Sequence, residues 1–161
     1  MRDLIKVGMA DLKVIKHPGV LTTLGLGSCV GICLFDPVTK VTGMAHIMLP
    51  SSQAIRNNTN AAKFADTAID LMLSEMQKLG ADKNRLICKI AGGAQMFSFQ
   101  SKNDMMKIGE RNAEAVREIM KSHRIAIKAD DTGGSFGRTI EFDSNDGMLL
   151  IKTIGHGTKS I

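Results

Sequence analysis

A cysteine preceded by two glycines and a serine is the feature of this sequence best suited to chemistry. In Thr22-Thr-Leu-Gly-Leu-Gly-Ser-Cys29 the glycines would let a substrate or a second backbone come close. Backbone N–H groups of the loop Gly27, Ser28 and Cys29 could donate to a developing oxyanion, an interaction whose loss typically costs about 2.7 to 4 kcal/mol. A thiol with an ordinary pKa of about 8.5 is only a few per cent ionised at neutral pH, so a cysteine nucleophile needs a base or a cation beside it. His46 is the histidine best placed to serve. His17 adjoins a turn, His123 a helix end and His156 a glycine-rich tail, and solvent exposure accounts for each.

Other chemistries fit less well. Gly25-Leu-Gly27 opens like a dinucleotide fingerprint, but the third glycine falls on Val30 and no acidic ribose ligand follows near the required distance. Gly92-Gly93 and Gly133-Gly134 lack the lysine and hydroxyl of a phosphate loop and read as turns. Cys29, Cys33 and Cys88 form no CxxC pair, so neither a disulfide framework nor a zinc site is encoded. No cofactor is expected. Cys33 shares the face of Cys29 and reads as packing, and Cys88 as a core thiol.

The elements that must bring Cys29 and His46 together are two apolar runs, 29–35 and 40–48, around Asp36-Pro37-Val38-Thr39, which spell a hairpin. If residues 36–39 form a four-residue loop, Cys29 and His46 are directly opposed. Directly opposed residues project from one face with Cβ atoms about 4.5 to 5.5 Å apart, and a slip of one residue would send them to opposite faces. Short β-branched runs at 4–7, 12–15 and 20–24 precede this hairpin. Phe64, Ala68, Met72, Met76 and Leu79 mark an amphipathic helix over 60–79, with Asn60 as cap and Gly80 as stop. Residues 86–91 read as a strand, 112–122 as a second helix, and 125–129, 139–142 and 148–154 as further strands. Two helices among roughly eight strands predict an α/β layered sandwich with a mixed or antiparallel sheet.

At 161 residues, with 43% hydrophobic and 23% charged residues, residues 1–161 read as one folded domain. Trp and Tyr are absent, so the 11 Met must supply core bulk or an adaptable binding surface. The net charge of +5 comes from scattered Lys and Arg without interleaved aromatics, which argues against nucleic acid as a partner and leaves attraction to an acidic protein surface open. No charged start with an apolar run and no apolar stretch of membrane-spanning length is present. A cytoplasmic protein with reduced thiols is expected. Residue types and spacing alone leave open a strand cysteine and a strand histidine unrelated to each other; this reading ends at a thiol hydrolase.

Several linked motifs go further. Thr23-Leu-Gly-Leu-Gly-Ser-Cys29 followed by Gly43-Met-Ala-His-Ile-Met-Leu-Pro50 resembles the CheD family of chemoreceptor glutamine deamidases. Ile90-Ala-Gly-Gly-Ala-Gln-Met-Phe97, Ile108-Gly-Glu-Arg-Asn112 and Asp131-Thr-Gly-Gly134 with Arg138 resemble its later motifs, in order. The resemblance runs from about Pro18 to Leu150. It implies Cys29 as nucleophile, His46 as general acid and base, and Thr23 as a third member supporting the site. It also implies an α/β sandwich related to bacterial toxin deamidases, and a protein-glutamine glutaminase acting on methyl-accepting chemotaxis receptors. A second role it implies is binding of the CheC phosphatase, as a regulatory module whose cysteine is secondary. A thiol peptidase or esterase is a third reading.

Overall fold

The computed structural model describes residues 3–53, 59–96 and 107–161. Part of the polar loop after Pro50, residues 54–58, and Phe97 at the end of the third motif lie outside the described residues. Strands and helices follow the order β1 (Leu4–Lys6), β2 (Asp11–Ile15), β3 (Val20–Leu26), β4 (Val30–Phe35), β5 (Thr42–Ile47), α1 (Ala65–Lys78), β6 (Ile87–Gly92), α2 (Ile108–Ser122), β7 (Ala126–Thr132), β8 (Arg138–Asp143), β9 (Leu149–Thr153) and β10 (Gly157–Ser160). Among the described residues these strands build two five-stranded sheets, ordered β1-β3-β8-β9-β10 and β2-β5-β4-β6-β7. Both are mixed: β1 runs parallel to β3, β6 parallel to β7, and the other neighbours are antiparallel.

Side-chain alternation on the second sheet creates three layers. On β4 and β5, Val30, Ile32, Leu34, Ala45 and Ile47 face the helices, packing with Ile69, Met72 and Met76 of α1 and Val116 and Met120 of α2. The alternate residues Cys33, Phe35 and Met44 face the first sheet and meet its Leu21, Leu26, Ile140 and Phe142. The α/β layered sandwich expected from the sequence is the observed architecture, with both sheets mixed. Met44, Met72, Met76 and Met120 are fully buried, and the sulfurs of Met72 and Met76 fill the space over Gly43; the flexible thioether suits such gaps. No helix among the described residues is long and apolar enough to cross a membrane.

The hairpin differs from expectation in one detail that matters. Six residues, 36–41, separate the last paired residues Phe35 and Thr42, because Asp36 and Lys40 close a tight turn (Lys40 N–H to Asp36 O, 2.7 Å) that Lys40 leaves in the left-handed region at φ 61. Gly31, not Cys29, therefore opposes His46. The shift is by two positions, so it preserves the face.

The expected helix over 60–79 also divides. Asn60 caps a single 3₁₀ turn, Ala61–Lys63. Phe64 is then extended, bridging to Leu49, and α1 begins at Ala65. Gly80 ends the helix at φ 105, a conformation glycine adopts without steric cost.

Candidate active site

Cys29 ends the glycine loop immediately before β4, 7% exposed and packed in the core between the sheets. His46, fully buried, projects from β5 into the same space, because its neighbours Ala45 and Ile47 take the helix face. Gly31 lies between them on that face; a Cβ there would meet Ile140 Cδ1 at 2.6 Å, so the absent side chain leaves the sheets room to close at this point. Cys29 and His46 thus share a face as diagonal neighbours, a pairing in which residues stand about 7 to 8 Å apart and their Cβ atoms somewhat closer. No hydrogen bond joins Cys29 to His46 Nε2, which has no partner among the described residues. Catalytic contacts are often long before substrate binds.

Thr23 comes from the other sheet. Its Oγ1 lies 2.7 Å from His46 Nδ1 and 2.7 Å from the Val7 carbonyl oxygen. The carbonyl can only accept, so the single hydroxyl proton goes to Val7 and Nδ1 must carry a hydrogen that it donates to Thr23. In neutral imidazole this leaves Nε2 as a lone-pair acceptor. Burial holds the His46 pKa below the ordinary 6.5 and so favours that neutral form. Burial also pushes the Cys29 thiol above its ordinary 9.0, its own backbone N–H opposing the rise in part. Both directions favour a neutral thiol and a neutral imidazole.

The glycine loop is held from beneath. Gly27 O accepts from Ala94 N–H at 2.9 Å and Cys29 O from Gly93 N–H at 2.8 Å, while Ser28 O accepts from Asn112 Nδ2 at 3.0 Å. Gly92 and Gly93 have positive φ of 112 and 60, and a Cβ on Gly92 would collide with the Cys29 carbonyl oxygen; glycine is required by close approach and not merely by a turn. Arg138, 3% exposed, braces this segment through Gly92 O (3.2 Å) and is itself held by Asp131 (3.0 Å). The Gly27 N–H turns back to Gly25 O at 3.1 Å, whereas the N–H groups of Ser28 and Cys29 meet no acceptor from another residue among the described residues. Met96, 45% exposed, would touch a Cβ on Gly27 at 3.1 Å, so an apolar side chain lies against the glycine loop.

Of the residues singled out from the sequence, Cys29, His46 and Thr23 converge, with Gly27 and Ser28 adjoining them. Asn112, Asp131 and Arg138 stood in the later family-like motifs, Asn112 also as the start of a helix, but none had been given a part in the site. Their signal was polarity at positions whose apolar neighbours predicted burial.

The sequence profile of the CheD family, described as CheD chemotactic sensory transduction, matches residues 48–153. A protein of Caldanaerobacter subterraneus named probable chemoreceptor glutamine deamidase CheD is 60% identical over 158 residues, 98% of each chain. One of Lachnoclostridium phytofermentans with the same name is 57% identical over 161 residues, 100% of each chain. The chemoreceptor glutamine deamidase CheD of Halalkalibacterium halodurans is 54% identical over 162 residues, again 100% of each. The profile match begins beyond Thr23, Cys29 and His46, but the relatives span them.

Proposed function

The chain belongs to the CheD family, and from that membership we propose that it is a protein-glutamine deamidase acting on methyl-accepting chemotaxis receptors, with Cys29 as its nucleophile. The observation that carries the residue assignment is the chain from Val7 O through Thr23 to His46 Nδ1, which leaves Nε2 free to take a proton on the face it shares with Cys29.

The chemistry then runs in two halves. As a glutamine side chain enters, the Cys29 Sγ–H proton passes to His46 Nε2, sulfur bonds to the side-chain carbonyl carbon, and the carbonyl π electrons move to oxygen. Backbone N–H groups of the Ser28 and Cys29 region donate to that oxyanion. On collapse the carbon–nitrogen bond breaks, imidazolium gives its proton to nitrogen, ammonia leaves and a thioester remains. Water attacks the thioester, losing a proton to Nε2; the carbon–sulfur bond breaks, sulfur recovers that proton, and the receptor keeps a glutamate. Thr23 positions the imidazole throughout.

The test is ammonia release and mass spectrometry of purified receptor incubated with wild type or Cys29→Ala. Deamidated glutamine and ammonia from wild type alone are expected; full activity in Cys29→Ala overturns the mechanism, and peptide cleavage or methanol in place of ammonia assigns a peptidase or esterase. We assign the reaction to the cytoplasm, where receptor helices present their methylation sites. Binding to the CheC phosphatase is a separable proposal, tested by whether Cys29→Ala retains CheC while losing deamidation.

A further inference from the structure

Three successive carbonyls of the nucleophile loop are gripped by the Gly93-Ala94 backbone and α2: Gly27 O by Ala94 N–H, Ser28 O by Asn112, and Cys29 O by Gly93 N–H. In a trans peptide the N–H points opposite to the C=O of the same unit. Fixing Gly27 O therefore aims the Ser28 N–H away from these anchors, and fixing Ser28 O does the same for Cys29 N–H. We propose that Asn112 is a positioning residue that sets the Cys29 N–H as an oxyanion donor, an inference that rests on Cys29 being the nucleophile.

Asn112 is the one side chain among these three anchors, and it is fully buried. Its Nδ2 donates both to Ser28 O, at 3.0 Å, and to Met48 O, at 2.9 Å. Two acceptors demand an NH₂, so the orientation of the amide is determined by its partners. Met48 follows directly on the strand that carries His46, so one amide group ties the loop of the nucleophile to the strand of its base. The same orientation leaves Asn112 Oδ1 buried and unpaired; with His46 Nε2 it is one of two such side-chain atoms among the described residues. An orphaned acceptor disfavours the folded state, and the chain carries it where two reacting groups must be held in register.

Asn112→Ala and Asn112→Asp separate this role from a merely structural one when deamidation kinetics are set beside the alkylation of Cys29 by iodoacetamide. Alkylation displaces iodide at a saturated carbon and builds no oxyanion, so it needs the thiolate but not the N–H donor. We expect kcat to fall about 100-fold, as for a reacting group displaced by about an ångström, with KM and the alkylation rate changed less than about threefold. Proportional loss of alkylation and deamidation, or undiminished kcat in a folded variant, overturns the proposal. Should both variants fail to fold, wild type suffices: a peptide carrying the aldehyde analogue of glutamine forms a hemithioacetal with Cys29, and the Cys29 amide proton should move downfield in its NMR spectrum. An unmoved amide overturns the proposal. Full deamidation by Cys29→Ala would instead sink the underlying assignment of the nucleophile.

Discussion

At the scale of single residues, the pKa directions decide how the site is activated. Burial raises Cys29 from 9.0 and lowers His46 from 6.5, and both changes oppose a standing thiolate–imidazolium pair. In the proposed mechanism proton transfer therefore belongs to the substrate complex, where the developing oxyanion gives it a driving force. The rate kcat/KM should have its acid limb below pH 6.5 and its alkaline limb above pH 9.0. Iodoacetamide should react with the free protein in step with thiolate formed above pH 9.0; rapid alkylation already at pH 6 would reveal a standing ion pair and contradict this account. Stability follows the same group. The unfolded chain binds a proton at His46 more readily than the folded one, so its contribution is complete above pH 6.5 and is lost as pH falls through the lower folded value. Thr23→Val removes the hydroxyl that fixes the ring and leaves Nδ1–H and Val7 O without their shared partner. We expect kcat/KM to fall about 10- to 100-fold, and ring-nitrogen NMR should report mixed tautomers where wild type shows hydrogen on Nδ1.

At the scale of elements, the β4–β5 turn sets the register on which the site depends. The Asp36 carboxylate accepts from Val38 N–H, Thr39 N–H, Asp82 N–H and the Arg85 guanidinium. Burial works against its charge, but these donors overcome it and hold the carboxyl well below the usual 3.8. Arg85 is 36% exposed and rehydrates when the carboxylate is removed, so the main cost of Asp36→Ala is the loss of partners for backbone N–H groups, about 2 to 3 kcal/mol. Urea denaturation should show this loss at neutral pH, and the gap between variant and wild type should close as pH falls from 3.8, because the lowered carboxyl contributes only where the unfolded group would also be ionised. The face shared by Cys29 and His46 was legible from alternation alone, since an error of two in register leaves parity intact. The true offset was not, because Lys40 adopts a left-handed conformation that its residue type does not announce. Phe64 is extended yet fully buried, so the apolar spacing runs through the break before α1. β10 was missed because Gly157–Ser160 is exposed throughout and carries no apolar pattern; backbone pairing with β9 defines it. Thr23 meets His46 only across the gap between sheets, and such non-local packing has no period in the chain.

At the scale of the whole molecule, the site lies where the two sheets meet, and the protein around it is basic. Lys and Arg number 21 against 16 Asp and Glu, a net charge of +5. Exposed charges act on an approaching partner over about 8 Å at physiological salt and over longer distances at low salt. A receptor helix of net negative charge would be drawn toward this surface before any side chain reaches the candidate site. In the proposed mechanism the attraction changes encounter and not the chemical step, since burial favours the neutral forms of the Cys29 thiol and His46 imidazole. Raising ionic strength from 0.01 to 0.15 M shortens the screening length from about 30 to about 8 Å, so kcat/KM toward receptor should fall several-fold while kcat at saturation holds. Alkylation by uncharged iodoacetamide supplies the control, because it meets the same sulfur without long-range steering and should be nearly indifferent to salt. A salt response shared by receptor and iodoacetamide would instead trace the effect to the site itself. Equal insensitivity of the two would show that the positive balance of this chain serves solubility and not encounter.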